Sequence, residues 1–142
     1  MSSRVTAIPA AAPDLAASHF ESHLRFETDC WDVHGSIADG CKDFVLLDVR
    51  SAEAFARGHI AGAISLPHAS IDEAALTSYP KNALFVVYCA GAHCNGAHRA
   101  AIRLGRLGRK VKVMIGGITG WLDEGFTLER AGARDAADSA GA

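Results

Sequence analysis

The chain has 142 residues, of which 49% are hydrophobic and 21% charged, and its formal net charge at pH 7 is -2. This length and apolar content predict one compact domain with a substantial core and leave little room for a second. The charge balance argues against a strongly basic nucleic-acid-binding protein and an acidic disordered chain, so no nucleic-acid partner is expected. The 4 cysteines are too sparse for a disulfide scaffold.

The two ends of the chain have the composition of flexible tails, which we expect over residues 1–13 and 129–142. The first residues contain no apolar stretch long enough for the core of a signal peptide. No segment approaches the roughly 18 consecutive apolar residues that a membrane-spanning helix needs. We therefore expect no membrane association and a cytoplasmic location, where thiols stay reduced.

The first predicted element is an N-terminal helix over residues 14–27, because Leu15, Phe20 and Leu24 recur at roughly helical spacing. Three short runs of apolar, β-branched and aromatic residues follow it. Such runs are typical of strands buried on both faces. They occupy residues 44–48, 84–89 and 111–115.

Helices are predicted between these strands. Ser51 can cap a helix that ends at Gly58. Ser70 and Glu73 have the spacing of a capping box and predict the start of a second helix. A third helix, with one apolar face, is expected over residues 97–107. Strands and helices that alternate in this way imply βαβ units and a mostly parallel sheet with helices on both sides.

Cys89 is the last residue of the second predicted strand, and functional sites of such sheets lie outside the carboxyl ends of the strands. The residues after it are mostly small, so their backbone N–H groups can converge on one point at the start of the third helix. A loop of this kind would favour the nucleophilic thiolate form of Cys89. The residues alone leave a second interpretation open, in which Cys89 packs as a small hydrophobe. The expected binding loop consists of Ala90, Gly91, Ala92, His93, Asn95 and Gly96.

Three segments, in order along the chain, resemble rhodanese-like domains. The first is Asp48-Val-Arg-Ser-Ala-Glu-Ala-Phe-Ala-Arg-Gly-His-Ile-Ala-Gly-Ala-Ile-Ser-Leu-Pro. The second is Val86-Val-Tyr-Cys with the Ala-Ala helix after it, and the third is Met114-Ile-Gly-Gly-Ile-Thr-Gly-Trp-Leu-Asp-Glu-Gly-Phe. The resemblance covers about residues 28–128. It implies a three-layer α/β/α domain with a five-stranded, mostly parallel sheet.

The same resemblance implies a catalytic cysteine, matched here by Cys89, that accepts sulfane sulfur as a persulfide and passes it to a nucleophile. The expected function is that of a sulfurtransferase or persulfide carrier. Its partners would be a small sulfur donor (thiosulfate, a polysulfide or a protein persulfide), a thiol or other nucleophilic acceptor, and a candidate protein partner. Two alternatives remain: a non-catalytic interaction or regulatory module, and a phosphatase or arsenate reductase that uses Cys89.

The expected loop is two residues longer than is common in the family's sulfurtransferases, and it contains no side-chain cation. His93 is mostly neutral at pH 7, and Arg99 falls on the following helix. A phosphate would therefore lack its usual bidentate arginine, which favours sulfur transfer over phosphatase chemistry. Arg99 and three further residues are expected to support the site structurally. These are Asp48, Arg50 and His59.

Cys94 makes the loop unusual, because four residues separate it from Cys89. Cys94 could form a disulfide with Cys89 or attack a persulfide on Cys89. Alternatively, Cys94 is only a small residue at the start of the helix. The group Cys89, His93, Cys94 and His98 lacks a recognised zinc spacing, so no metal or cofactor is predicted. The two other cysteines are expected to be inert. The basic stretch that ends at Lys112 is expected to be a solvated face; it comprises Arg99, Arg103, Arg106, Arg109, Lys110 and Lys112.

Overall fold

The computed structural model describes residues 1–131, in which five strands form one sheet. The strand order is β1-β5-β4-β2-β3, and every neighbouring pair is parallel. Strands β2, β4 and β5 coincide closely with the three predicted runs, whereas the two-residue edge strands were not predicted. The strands are β1 Glu27–Thr28, β2 Val45–Asp48, β3 Ile64–Ser65, β4 Leu84–Tyr88 and β5 Lys110–Met114.

Helices cover both faces of this sheet. Side chains alternate along β4, so that Phe85 and Val87 face one layer of helices while Val86 and Tyr88 face the other. The first layer contains α4 and α5, and the second contains α2 and α6. The predicted α/β class is confirmed, with a sheet that is parallel throughout. The helices are α1 Pro13–Phe26, α2 Cys30–Ala38, α3 Ala52–Arg57, α4 Glu73–Leu76, α5 Gly96–Arg106 and α6 Gly117–Asp123.

The helix caps agree with the sequence at one helix and differ at another. The Ser51 side chain accepts a hydrogen bond from the Ala54 N–H, as predicted for the start of α3. The prediction that Ser70 caps the next helix is wrong, because Ser70 ends a 3-10 turn and the cap of α4 is Asp72. The Asp72 carboxylate accepts from the Ala75 N–H, and its negative charge is also favoured at a helix N-terminus.

The ends of the chain differ in how they meet the rest of the fold. Residues 1–12 contain a turn and no helix or strand, and α1, which follows them, buries none of its residues. A flexible tail is predicted from residue 129, yet Glu129 exchanges two backbone hydrogen bonds of 2.8 Å with His59. Residues 132–142 of that predicted tail lie outside the described residues. In the part of the chain that is described, no helix is long and apolar enough to span a membrane.

One member of the basic stretch is not on a solvated face. Arg109 is buried, and its guanidinium donates hydrogen bonds to the carbonyls of Leu76 and Pro80. It also lies 5.8 Å from the centre of the Phe85 ring. Arg109 therefore satisfies backbone oxygens after α4, and the prediction of a solvated face is wrong at this position.

Candidate active site

Cys89 directly follows β4, the middle strand of the sheet, and is 6% exposed. Its side chain belongs to the same core cluster as Phe85 and Val87, on the face that α5 covers. Because the carboxyl ends of all five strands meet at one edge, Cys89 lies at the edge where α/β proteins bind their ligands. The fold thus presents the predicted nucleophile at the customary position for a site.

The loop that begins at Cys89 is held from one side by the start of α6. The Ile118 N–H donates to the Cys89 carbonyl at 3.1 Å, and the Thr119 N–H donates to the Ala90 carbonyl at 3.0 Å. Gly117 allows this approach, because a Cβ there would collide with the Cys89 carbonyl oxygen and lie 2.8 Å from the Gly91 nitrogen. The first turn of α6 therefore fixes the backbone of the loop.

The sulfur atoms of Cys89 and Cys94 lie together beside Gly96, the first residue of α5. A Cβ at Gly96 would lie 2.8 Å from the Cys89 Sγ and 3.5 Å from the Cys94 Sγ. The Gly96 N–H donates to the Cys94 Sγ at 3.5 Å, and each thiol shifts the pKa of the other. Cys89 is buried while Cys94 is partly exposed. The structure thus holds a dithiol at the end of the central strand.

The pKa values of the two thiols are shifted in opposite directions. Burial is the main cause that raises the pKa of Cys89 from 9.0 to about 11, and the hydrogen bond and charge of Cys94 add to it. The N–H groups of Ala90 and Gly96 have the opposite effect and lower this pKa. The hydrogen bond from Cys89 lowers the pKa of Cys94 below 9.0, and the Gly96 N–H adds to this effect. Cys94 therefore ionises first in the reduced pair, with Cys89 as its hydrogen-bond donor.

This pattern corrects the expectation that the loop lowers the pKa of Cys89. The Gly96 N–H donates to the Cys94 Sγ, and the N–H groups of Ala90 and Gly96 lower the pKa of Cys89. The Cys94 N–H, however, donates to the Gly91 carbonyl at 3.0 Å. Only some of the loop N–H groups therefore act on the sulfur atoms. At Cys89, the increase in pKa caused by burial is larger than the decrease that these N–H groups cause. The single negative charge belongs to the pair, and a proton shift along the hydrogen bond can place it on either sulfur.

The pH dependence of alkylation tests this pair. In a Cys41→Ser background, which removes an exposed thiol, we expect iodoacetamide labelling to rise with pH through a midpoint below 9.0, the ordinary pKa of the group, because the Cys94 thiolate forms above its lowered pKa. Adding Cys94→Ala should move the first midpoint to higher pH, since Cys89 stays buried. If the first midpoint of the Cys41→Ser protein lies at or above pH 9.0, Cys94 does not have a lowered pKa and the interpretation of the pair is wrong.

A cavity of about 170 Å3 opens beside the pair. Drug-sized ligands occupy pockets of about 300–1,000 Å3, so this cavity suits a much smaller molecule. No lysine or arginine is among its lining residues, and its one carboxylate is Glu27 at the start of β1. The cavity is lined by Glu27, Cys89, Gly91, Ala92, Cys94, Ala97, His98, Val113, Met114, Ile115, Gly116 and Gly117.

Asp48 and Arg50 form a bidentate ion pair beneath the site. The Arg50 Nη2 donates to the Asp48 Oδ2 at 2.7 Å and to the Gly58 carbonyl at 2.6 Å, and the Asp48 side chain is 0% exposed. Burial lowers the pKa of Arg50, but the hydrogen bond and charge of Asp48 outweigh burial, so the pKa is raised overall. The charge of Cys89 adds to this increase. Arg50 supplies positive charge near Cys89 without lining the cavity.

The remaining predicted residues lie outside the cavity. The His59 Nδ1 is 2.9 Å from the Phe55 carbonyl oxygen and its ring stacks on Phe55, so His59 secures the end of α3. Arg99 donates to the Asn95 side chain at 3.2 Å and lines a separate groove on α5. The predicted loop residues that do not line the cavity are Ala90, His93, Asn95 and Gly96.

Sequence reasoning did not identify Glu27 or Thr119 as part of the site. Glu27 comes from a two-residue edge strand that has no detectable pattern. The Thr119 hydroxyl lies 3.4 Å from the Ala90 carbonyl oxygen, a contact that depends on how α6 meets the loop. The Gly-Gly pair at the start of α6 lies in the third segment that resembles rhodanese-like domains. This pair was the one feature of the sequence that could have indicated a close contact between α6 and the loop.

The other two cysteines are apart from the dithiol. The Cys30 thiol is buried beneath α6 and donates to backbone carbonyls at 3.6 Å, and burial raises its pKa to about 11. Cys41 is exposed. Within residues 1–131, no three side chains of His, Cys, Asp or Glu lie close enough together to hold a metal ion.

Comparisons with known proteins agree with this architecture. A family model described as "Rhodanese-like domain" matches residues 32–124. An HTH-type transcriptional regulator of Mycobacterium tuberculosis is 35% identical over 88 residues, which are 61% of this chain and 38% of that protein. The chain therefore spans about two-fifths of the length of this curated relative.

Three solved structures illustrate the similarity. The BH2092 protein from Bacillus halodurans is 38% identical with a TM-score of 0.81, over 84% of this chain and 87% of that one. The rhodanese-like domain of the Anabaena Alr3790 protein is 28% identical with a TM-score of 0.65, over 73% and 78% of the two chains. A thiosulfate sulfurtransferase from Pseudomonas aeruginosa shares the fold at 23% identity and a TM-score of 0.60, over 78% of this chain and 21% of that one.

Proposed function

Since the chain belongs to the rhodanese-like domain family, we propose that it transfers sulfane sulfur, with Cys89 as the residue that carries the sulfur as a persulfide. The observation that carries this proposal is the position of Cys89, at the end of the middle strand and on a small cavity, where the N–H groups of Ala90 and Gly96 act on its sulfur. A thiolate there can attack a sulfur atom bound in the cavity. The same N–H groups can then stabilise the negative charge of the product.

The proposed reaction has two steps. In the first, the Cys89 thiolate attacks the sulfane sulfur of the donor, a new S–S bond forms, and the donor's remaining part leaves with the electron pair. The proton of Cys89 passes to Cys94 along the hydrogen bond between them. In the second step, a nucleophilic acceptor attacks the outer sulfur and Cys89 leaves as a thiolate.

The charge of the cavity favours donors with little negative charge. Thiosulfate is a dianion, while the lining residues offer it the Glu27 carboxylate and no arginine or lysine. A like charge at close range disfavours such a ligand, whereas the persulfide group of an organic donor carries one negative charge at most and meets a smaller penalty. We therefore propose an organic persulfide or polysulfide as the donor class, and thiosulfate as a weaker donor.

The same charge distribution argues against the phosphatase or arsenate reductase alternative. An oxyanion of that kind needs a bidentate arginine or an equivalent cation at the nucleophile. Arg99 lines a different groove and Arg50 is paired with the buried Asp48 carboxylate. Neither is among the lining residues of the Cys89 cavity, so phosphoryl or arsenate chemistry has little support.

A regulatory module remains the second candidate, because the M. tuberculosis relative is named as a transcriptional regulator. In such a module, Cys89 would take up sulfur without repeated turnover. The two candidates share the first chemical step and differ in the second. Multiple turnover with an added thiol acceptor therefore separates them.

Steady-state sulfur transfer tests the proposal. We expect sulfide production from an organic persulfide in the presence of a thiol acceptor, with a higher kcat/KM than for thiosulfate, and no enzyme-dependent rate in Cys89→Ser. Cys41→Ser, which alters an exposed thiol, should retain the wild-type rate. Uptake without turnover supports the regulatory candidate instead. Hydrolysis of an aryl phosphate or turnover of arsenate, without sulfur transfer, overturns the proposal.

A further inference from the structure

In the proposed transfer, Cys94 only accepts a proton. Its position, however, also suits a covalent role. Its sulfur accepts a hydrogen bond from the Gly96 N–H, and a Cβ at Gly96 would lie 2.8 Å from the Cys89 Sγ and 3.5 Å from the Cys94 Sγ, so the two sulfur atoms lie on the same side of Gly96. Cys94 is also more exposed than Cys89, and both line the same cavity. A second thiol in this position can reach a sulfur atom loaded on Cys89.

We propose that Cys94 displaces the sulfur from Cys89 as hydrogen sulfide, which leaves a Cys89–Cys94 disulfide that a dithiol reductant reopens. This inference rests on the proposed function, since it needs a persulfide on Cys89. It makes the protein itself the first acceptor. The external partner is then a dithiol, such as a small redox protein or a low-molecular-weight dithiol, in place of a single thiol.

The step balances without an external oxidant. The Cys94 thiolate attacks the Cys89 Sγ, and the bond between these two sulfur atoms forms. The bond from the Cys89 Sγ to the outer sulfur breaks. The outer sulfur takes the proton that Cys94 gives up and leaves with the electron pair as hydrosulfide. The sulfane sulfur is thereby reduced to sulfide while the two cysteines are oxidised to a disulfide. The dithiol then reduces this disulfide by two thiol–disulfide exchanges and itself becomes a disulfide.

Leaving-group acidity favours this route over transfer of the outer sulfur to Cys94. Attack on the outer sulfur would expel the Cys89 thiolate, whose pKa burial raises to about 11. Attack on the Cys89 Sγ expels hydrosulfide, the anion of a stronger acid than a cysteine thiol, and the anion of the stronger acid leaves faster. The buried position of Cys89 therefore directs Cys94 towards disulfide formation.

Gly96 provides the space that the exchange requires. A side chain there would lie 2.8 Å from the Cys89 Sγ and 3.5 Å from the Cys94 Sγ, between the two sulfur atoms and the first turn of α5. Without a side chain, both sulfur atoms can stay close to the Gly96 N–H while their separation shortens to a bond. Its N–H also lowers the pKa of Cys94, which increases the ionised fraction of the attacking sulfur at a given pH.

A single-turnover experiment on the full chain tests the inference. Reduced wild type and Cys94→Ala are loaded with stoichiometric organic persulfide, passed rapidly through a desalting column, and incubated without any thiol. We expect wild type to release close to one equivalent of sulfide per loaded chain and to end as an intramolecular disulfide, detected by intact mass and by resistance to alkylation. Cys94→Ala should keep its persulfide. Cys41→Ser should behave as wild type.

The outcomes separate the inference from the proposed function. If neither wild type nor Cys94→Ala gains sulfur, the proposed function fails and the inference fails with it. If wild type takes up sulfur but holds it as long as Cys94→Ala does, the inference is overturned while the proposed function stands. Sulfur that is mapped to Cys94, or sulfide release that ends in a disulfide between two chains, also overturns it.

Discussion

Replacing Arg50 by methionine is expected to lower the free energy of unfolding by about 3–5 kcal/mol, the cost of removing one partner of a buried ion pair. The Asp48 carboxylate is 0% exposed and depends on the Arg50 guanidinium, which also donates to the Gly58 carbonyl at 2.6 Å. The substitution leaves a buried negative charge without a partner and an unsatisfied carbonyl at the end of α3. Urea denaturation monitored by circular dichroism measures the change.

Two further variants show whether the ion pair is the cause. Arg103 lies on the exposed face of α5, so Arg103→Met should change the stability by no more than about 0.5 kcal/mol. In the double variant Asp48→Asn with Arg50→Met, no buried charge lacks a partner, and part of the loss should be recovered. A loss for Arg50→Met as small as that for Arg103→Met contradicts the account.

Gly117→Ala is expected to lower the free energy of unfolding by about 2–5 kcal/mol, combining backbone strain with overpacking. Gly117 has φ 56, and an added Cβ would lie 2.8 Å from the Gly91 nitrogen and even closer to the Cys89 carbonyl oxygen. Because these atoms are backbone, the methyl group has to push α6 away from the loop. Sulfur uptake by Cys89 should fall as well, since the loop loses the hydrogen bond from Ile118.

Gly105→Ala is the matched control for this substitution. Gly105 lies in α5, and a Cβ there has no atom within 4 Å. Alanine in a helix interior is favoured over glycine by roughly 0.5–1 kcal/mol, so this variant should be slightly more stable and fully active. The two alanine variants are compared by urea denaturation and by sulfur uptake. Equal stability and equal uptake would show that the close approach of α6 is unimportant.

The sequence allowed the sheet interior to be predicted, but not its edges. Strands β2, β4 and β5 consist of continuous apolar runs because helices cover both of their faces. Strands β1 and β3 have two residues each, so they carry no periodicity that could reveal them. The start of α4 was misplaced because Ser70 and Asp72 are both good caps, and local spacing could not decide between them.

The position of Cys89 followed from the sequence, whereas its acidity did not. A cysteine after a buried strand and before a glycine-rich turn had to lie at the carboxyl edge of the sheet. Its pKa, however, depends on burial and on Cys94, and both of these depend on how α5 and α6 close over the loop. The Glu27 carboxylate likewise reaches the cavity through tertiary packing. Charge and acidity at this site are therefore properties of the fold.

The location of the added sulfur tests the central claim most directly. Reduced Cys94→Ala is incubated with an organic persulfide at a pH raised enough to ionise part of the buried Cys89 thiol, whose proton has no Cys94 to accept it. Its persulfide is trapped with an alkylating agent, and its peptides are analysed by mass spectrometry. The account predicts the mass of one additional sulfur atom on the peptide that contains Cys89, and no added sulfur when Cys89→Ser is combined with Cys94→Ala. Added sulfur on Cys30 or Cys41 with none on Cys89, or no added sulfur at all, would contradict it.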